Sequence, residues 1–334
     1  MTEADLLALG IHRVPVPIPF PQAGGPVNVY LVEEEGGGLL LVDSGLGSPE
    51  AEAVLLDGLG RAGRSPEEVR RILVTHGHVD HYGGARGLEE LAGHAVPALV
   101  HAADLPKVAE TGPRWTALAA HYGAHLARLG VPEAALAVAG REAERGFSLA
   151  RRIREVRPTL PGERLRTRHL DLEVLHMPGH TPGLLCLYDR AHRLLFSSDH
   201  LLERVSPNPL IELGPDGRDG YFRPLVEYLQ SMERTRALEV ELVLPGHGPP
   251  FTGHRAVADS LHSFYARRQE RLLGQLRRGP RTPWELVRAL FREPRPGDVF
   301  LAISEVAANL ELMEERGVVA REERDGVRRY HPAR

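Results

Sequence analysis

Residues 72–84 read Ile-Leu-Val-Thr-His-Gly-His-Val-Asp-His-Tyr-Gly-Gly, so three histidines and an aspartate fall within six residues at the end of an apolar run. The run predicts a buried strand, and loops at strand ends are where chemistry-bearing groups sit. Imidazole nitrogens and carboxylate oxygens suit zinc and neighbouring divalent metals. Three more such positions follow short apolar runs: His180 in Met177-Pro-Gly-His-Thr-Pro-Gly183, Asp199 in Phe196-Ser-Ser-Asp-His200, and His247 in Leu244-Pro-Gly-His-Gly-Pro249. Glycine and proline around the later histidines force tight loops and let backbone approach a ligand. The candidate donors are therefore His76, His78, Asp80, His81, His180, Asp199 and His247. Seven donors exceed the four of one tetrahedral site, so two divalent ions per chain are expected. Zinc is the expected metal, and manganese and iron accept the same donors.

The pattern around these loops is layered α/β. Strands are predicted at 14–19, 27–33, 39–43, 71–75 and 97–101, with helices at 49–62 and 87–92. Ser48 is the expected N-cap of the first helix, with Pro49 at its first position and Glu50 and Glu52 in its first turn. From about 105 to 168 Ala, Leu, Arg and Glu dominate at helical spacing, which predicts a helical insertion. Strands resume at 171–177, 184–188, 193–197 and 241–244, with helices at 222–238 and 254–278. After an Arg/Gly/Pro linker, helices at 284–291, 298–301 and 304–316 precede two short runs joined by Asp325-Gly326, a hairpin signal. Three helices and a hairpin make a winged-helix pattern. The expected division is a catalytic domain over 1–279 and a small domain over 280–334.

Composition narrows the function classes. With 41 basic against 45 acidic residues, nothing calls for nucleic acid or an anionic membrane as a global partner. Cys186 is the single cysteine, which excludes a disulfide framework and a cysteine-rich zinc module. No apolar run is long enough to span a membrane, and the first residues carry acids rather than a basic, then apolar, leader. A cytoplasmic chain is expected.

His76-x-His78-x-Asp80-His81, followed in order by His180, Asp199 and His247, resembles the metallo-β-lactamase superfamily over about residues 10–270. The resemblance implies a four-layer αβ/βα sandwich with metals at one edge of two sheets. It implies that His76, His78 and His180 hold one metal and Asp80, His81 and His247 the other, with Asp199 and a hydroxide as bridges. Asp80 would orient the hydroxide and accept its proton. Leu41-Val-Asp43-Ser-Gly45 is similar to the family's first motif, whose aspartate supports ligands rather than binding metal. Class B1 lactamases carry a cysteine where Asp199 stands, and the flavodiiron branch a glutamate at the position of His78. Glyoxalase II-like and nuclease-like hydrolases remain, cleaving an ester, thioester or phosphodiester. The tail resembles that of the lactamase-beta-2-like branch, which includes a single-strand endoribonuclease.

Substrate class stays open at this point: a small anionic ester or thioester, or single-stranded RNA. Duplex DNA is not expected, because the third tail helix carries Glu305, Glu311, Glu314 and Glu315. A metal-bound regulator that senses rather than turns over is the non-enzymatic alternative. Between residues 141 and 168 nine arginines face four glutamates, and Arg151, Arg152 and Arg154 are the candidate basic rim for an anionic substrate. Tyr82 is a candidate pocket residue. His200 is expected to point away from the site on a strand, Cys186 to be a small core residue, and His101, His121, His125 and His169 to take surface or helix positions.

Overall fold

The computed structural model describes residues 1–291 and 294–333. A short helix α1, Glu3–Ala8, opens the chain, closed by a reciprocal cap between Thr2 and Asp5. One sheet runs in the order β1 (Ile11–Val16), β2 (Val27–Glu33), β3 (Leu39–Val42), β4 (Val69–Leu73), β5 (Ala98–His101) and β6 (Val156–Thr159). Its first three strands are antiparallel and β3 to β6 are parallel. Between them lie α2 (Pro49–Arg61), the single turn α3 (Val79–Tyr82), α4 (Ala85–Ala92), α5 (Leu105–Arg128) and α6 (Glu133–Ser148). The second sheet contains β7 (Arg164–Arg166), β8 (Asp171–His176), β9 (Leu185–Asp189), β10 (Leu194–Ser198) and, after α7 (Pro224–Arg236), β11 (Leu242–Pro245). Helix α8 (His254–Leu276), α9 (Pro283–Phe291), α10 (Val299–Glu315) and a hairpin of β12 (Val319–Arg324) and β13 (Val327–Pro332) complete the chain.

Strands β2 and β3 are apolar on both faces because both faces are covered. Val29, Leu31, Leu39 and Leu41 pack outward against Leu55 and Leu59 of α2 and Leu88 of α4. Tyr30, Val32, Leu40 and Val42 pack inward against Leu172, Val174, Leu187 and Phe196 of the facing sheet. Helices α7 and α8 cover the far side of that sheet, with Tyr228, Met232 and Leu261 packed in one cluster with Val243 of β11. The result is a mixed α/β, two-sheet sandwich, the architecture that the sequence resemblance implies.

Two expectations need correction. The stretch expected to be helical to 168 ends its helices at Ser148 and then supplies β6 and β7. Both are short edge strands rich in arginine, so pairing with β5 and β8, rather than alternation, defines them. The helices expected at 298–301 and 304–316 are one, α10, since no glycine or proline separates them. Helix α1 and the turn α3 are additions to the expected elements.

The C-terminal elements share a core with the rest of the chain. Leu286, Ile303, Val306, Leu310 and Tyr330 pack with Leu126 and Leu129 at the end of α5, Ile211 and Leu213, and Leu272 and Leu276 of α8. Helix α10 is buried along most of its length. Among the described residues no helix is long and apolar enough to cross a membrane.

Candidate metal centre

The parallel register of β3 and β4 sets Asp43, just past one strand, beside Thr75, just past the other. Asp43 adopts a left-handed backbone (φ 63°), which aspartate tolerates better than most residues. Its Oδ1 accepts from the Thr75 amide at 2.7 Å. Its Oδ2 accepts from the Thr75 hydroxyl and pairs with His81 Nδ1, both at 2.8 Å. In the second sheet the parallel pair β10–β11 delivers Asp199 and His247 side by side, with the Gly246 amide donating to the Ser198 carbonyl at 2.9 Å. A Cβ at Gly246 would lie 2.2 Å from Asp199 Oδ1, so only glycine fits. The Ser198 hydroxyl joins the two sheets through Thr75 Oγ1 at 2.7 Å and His76 Nδ1 at 3.3 Å.

All seven candidate donors converge. His76 Nε2 and His180 Nε2 each lie 3.0 Å from His78 Nδ1. His81 Nε2 faces Asp80 Oδ2 at 3.8 Å and Asp199 Oδ1 at 3.6 Å. His247 Nε2 lies 3.5 Å from Asp80 Oδ2 and 3.4 Å from Asp199 Oδ2, and that same oxygen is 3.6 Å from His180 Nε2. Asp199 therefore stands between the two groups with one oxygen turned to His81 and the other to His180 and His247. His76–His78–His180, His76–His81–Asp199 and Asp80–His81–His247 each form a set whose donor atoms could hold one ion. His81 Nε2, Asp199 Oδ1 and His247 Nε2 are buried without a hydrogen-bond partner among the described residues. Buried polar atoms are normally satisfied, so their convergence fits divalent metal in this donor set.

Electrostatics divides the donors in two. Burial and the neighbouring His81 and His78 hold His76 well below the ordinary imidazole range, and burial with His180 does the same to His78. His81 and His247 are buried too, but the carboxylates outweigh burial: Asp199 and Asp43 lift His81, and Asp199 with Asp80 lifts His247 to about 10. Burial would raise Asp80, yet His81 and His247 draw its carboxyl down to about 2.

The remaining nitrogens of the histidines orient the rings. His180 Nδ1 meets the Asn208 carbonyl at 2.9 Å, and His247 Nδ1 lies 3.3 Å from the carbonyls of Gly25 and Pro26. Asn208 Nδ2 in turn donates to the Leu301 carbonyl of α10 at 3.1 Å. Asn28 Nδ2 donates to the carbonyls of Pro245 at 2.9 Å and Gly248 at 2.7 Å, bracketing the His247 loop. Sequence reasoning missed Asp104. Its Oδ2 accepts from the Gly77 amide at 2.9 Å and the Thr181 hydroxyl at 2.6 Å, tying together the loops of His78 and His180. The chain's lone lysine, Lys107, lies 3.2 Å from its other oxygen and also pairs with Glu212. Only the pairing of a buried Asp with that lysine three residues on could have flagged it.

A cavity of about 610 Å³ opens onto His78, Asp80, His180, Asp199 and His247. Arg151, Arg152 and Arg154 do not line it, contrary to the basic-rim expectation. Arg151 is taken up by Glu90 at 2.9 Å and Glu52 at 3.8 Å, the acids of the neighbouring helices. Tyr82 does not line it either; it is fully buried, its hydroxyl 2.9 Å from Thr111 Oγ1. His200 lies in the interior with Nε2 2.7 Å from Thr235 Oγ1, and Cys186 is buried in β9. His125 is buried beside Asp219 on α5, while His121 and His169 are exposed and His101 stacks on His176 at 3.9 Å.

Comparison with known proteins gives a consistent picture. The metallo-beta-lactamase superfamily profile matches residues 23–247. The chain is 28% identical over 316 residues to "Probable metallo-hydrolase YqjP" of Bacillus subtilis (strain 168), covering 94% of this chain and 93% of that protein. It is 30% identical over 251 residues to "Acyl-coenzyme A thioesterase MBLAC2" of Bos taurus, covering 71% of this chain and 78% of that one. The crystal structure of a metallo-beta-lactamase family protein from Thermus thermophilus superposes with a TM-score of 0.81 at 31% identity, over 97% of this chain and 98% of that one.

Proposed function

The chain belongs to the metallo-beta-lactamase superfamily, and from that premise we propose that it is a two-zinc thioesterase acting on small acyl thioesters. The observation that carries the metal-dependent part is the convergence of buried, unpaired His81 Nε2, His247 Nε2 and Asp199 Oδ1 beside three clustered imidazoles. The donors divide between His76, His78 and His180 on one side and Asp80, His81 and His247 on the other, with Asp199 shared. Zinc held by these donors would acidify a water toward neutral pH and polarise the scissile oxygen. Asp80, ionised and open to the cavity, is placed to orient the attacking water and accept its proton. The water oxygen bonds to the thioester carbon, the C–S bond breaks, and the proton passes to the departing thiolate. The products are a carboxylate and a thiol. The similarity to the acyl-coenzyme A thioesterases supports the thioester class.

Two features weigh against an RNA strand as substrate. The cavity lining holds two arginines, Arg204 and Arg267, against Glu203 and Glu305, and Arg151 is engaged by acids elsewhere. A strand of phosphates needs a run of unopposed cations, whereas a single distal anion needs one. Zinc-loaded protein assayed in parallel on an acyl thioester, bis-p-nitrophenyl phosphate and single-stranded RNA should cleave the thioester fastest. Cleavage of RNA or the phosphodiester with an inert thioester refutes the reading, and no turnover on any of them favours a sensor.

A further inference from the structure

Five residues of α8 turn one face to the cavity: Val257, Ser260, Leu261, Phe264 and Arg267, at the 3–4 residue spacing of a single helix face. Apart from Ser260 the strip is apolar, and it ends in a charge one turn past Phe264. Leu210 and, from α10, Leu301 extend the apolar lining. The cavity's other charges beyond the metal donors are balanced locally. Glu305 of α10 lies 2.5 Å from Arg268 Nε, both side chains nearly buried. Glu203 and Arg204 form a loose, exposed pair at 3.7 Å. Arg267 is exposed, and no carboxylate pairs with it among the described residues. A cation without a partner at the rim of an apolar cavity favours a ligand with an apolar part and a distal anionic part.

We infer, on the thioester reading above, that the substrate combines an apolar acyl chain with a leaving thiol bearing phosphate, and that Arg267 receives the phosphate while Val257, Leu261, Phe264 and Leu301 receive the chain. Arg267 is a specificity residue and stays clear of the reacting atoms. The tail of the chain takes part directly, since Leu301 belongs to it. The basic contact foreseen on the insertion is thus supplied by α8.

The test compares one octanoyl group carried on N-acetylcysteamine, a neutral thiol, and on coenzyme A, a phosphorylated one. In Arg267→Ala, KM for the coenzyme A thioester should rise about five- to tenfold with kcat nearly unchanged, the pattern of lost uniform binding. KM for the neutral thioester should stay put, Arg267→Lys should recover most of the loss, and salt should erode the preference of the wild type. Leu301→Trp should depress kcat/KM for octanoyl thioesters while sparing acetyl ones. Metal content, measured on every variant, should not move. Equal responses of the neutral and phosphorylated thioesters to Arg267→Ala, or none, overturn this inference and leave the thioester reading standing. A wild type inert on both thioesters removes both.

Discussion

His81 Nδ1 lies 2.8 Å from Asp43 Oδ2, and this bond turns the opposite nitrogen of the ring toward Asp80 and Asp199. Asp43 serves three donors at once, the other two being the amide and hydroxyl of Thr75. An amide in its place can accept at one end only. Asp43→Asn should therefore lower metal affinity roughly 10–100-fold, the usual cost of a ligand's supporting partner. Full loading should survive at saturating zinc. Calorimetric titration of the stripped protein reads this, and permanent loss of one ion would make Asp43 a ligand instead.

Metal analysis should return two ions per chain, as expected of a donor set larger than one tetrahedral site needs. Asp199→Ala removes the carboxylate proposed to serve both ions, so it should drop the content to one ion or fewer and abolish nearly all turnover. Substantial activity in that variant would show that Asp199 is not shared between the ions.

Gly246→Ala tests the same carboxylate from the backbone side, because the new methyl would lie 2.2 Å from Asp199 Oδ1. Turnover and zinc binding should both fall, and the folded protein should still form, since the severe overlap is with a side-chain oxygen and the Ser198 backbone carbon stands off at 3.0 Å. Unchanged zinc affinity would mean that Asp199 can step aside without consequence.

Asn208→Ala should weaken zinc binding about tenfold by freeing the segment whose carbonyl holds His180 Nδ1. Truncation after residue 279 should be harsher, since Leu272, Leu276 and Ile211 lose partners such as Leu286, Ile303 and Leu310. We expect the truncated chain to aggregate. Titration of the point variant with no change in affinity would separate the tail from the metal centre.

Burial, reinforced by Asp219, raises Glu311 from 4.5 to about 7, against the opposing pull of Arg223, Arg328 and Arg321. Between those pH values the folded state holds a proton that the unfolded chain has released. Stability from this group is therefore full below about pH 4.5 and falls as pH rises to about 7. Glu311→Gln should raise the melting temperature at pH 8 by on the order of 3 °C relative to wild type, with the gain fading at acidic pH. Parallel melting curves across that range would exclude the effect.

That the seven candidate donors would be brought together was legible in the sequence because they sit on short turns after apolar strands, where Gly and Pro leave few conformations. Strands β2 and β3 were legible for a related reason: burial on both faces writes itself as an unbroken apolar run. What escaped was long-range. Asp104 stands 27 residues from Gly77 and 77 from Thr181, and nothing local marks a carboxylate that will join two loops. Arg151, Arg152 and Arg154 looked like a rim because local charge excess says nothing of which way a segment faces. Arg267 hid within a helix of ordinary polarity, and only the packing of α8 beside the metal loops gives it a role.

The three asparagines are the only ones in the chain, and each sits where its amide is held. Asn28 and Asn208 brace the loops of His247 and His180, and Asn309 donates to the Glu305 carbonyl within α10 at 2.8 Å. Asparagine ages by cyclising onto the backbone nitrogen of the next residue, which needs a free side chain and a pliant chain. Asn208 is followed by proline, whose nitrogen carries no hydrogen, and the other two lie inside a strand and a helix. Prolonged warm storage therefore has few amides to convert, and the parts of the molecule that hold the metal loops are among the last to acquire new charge.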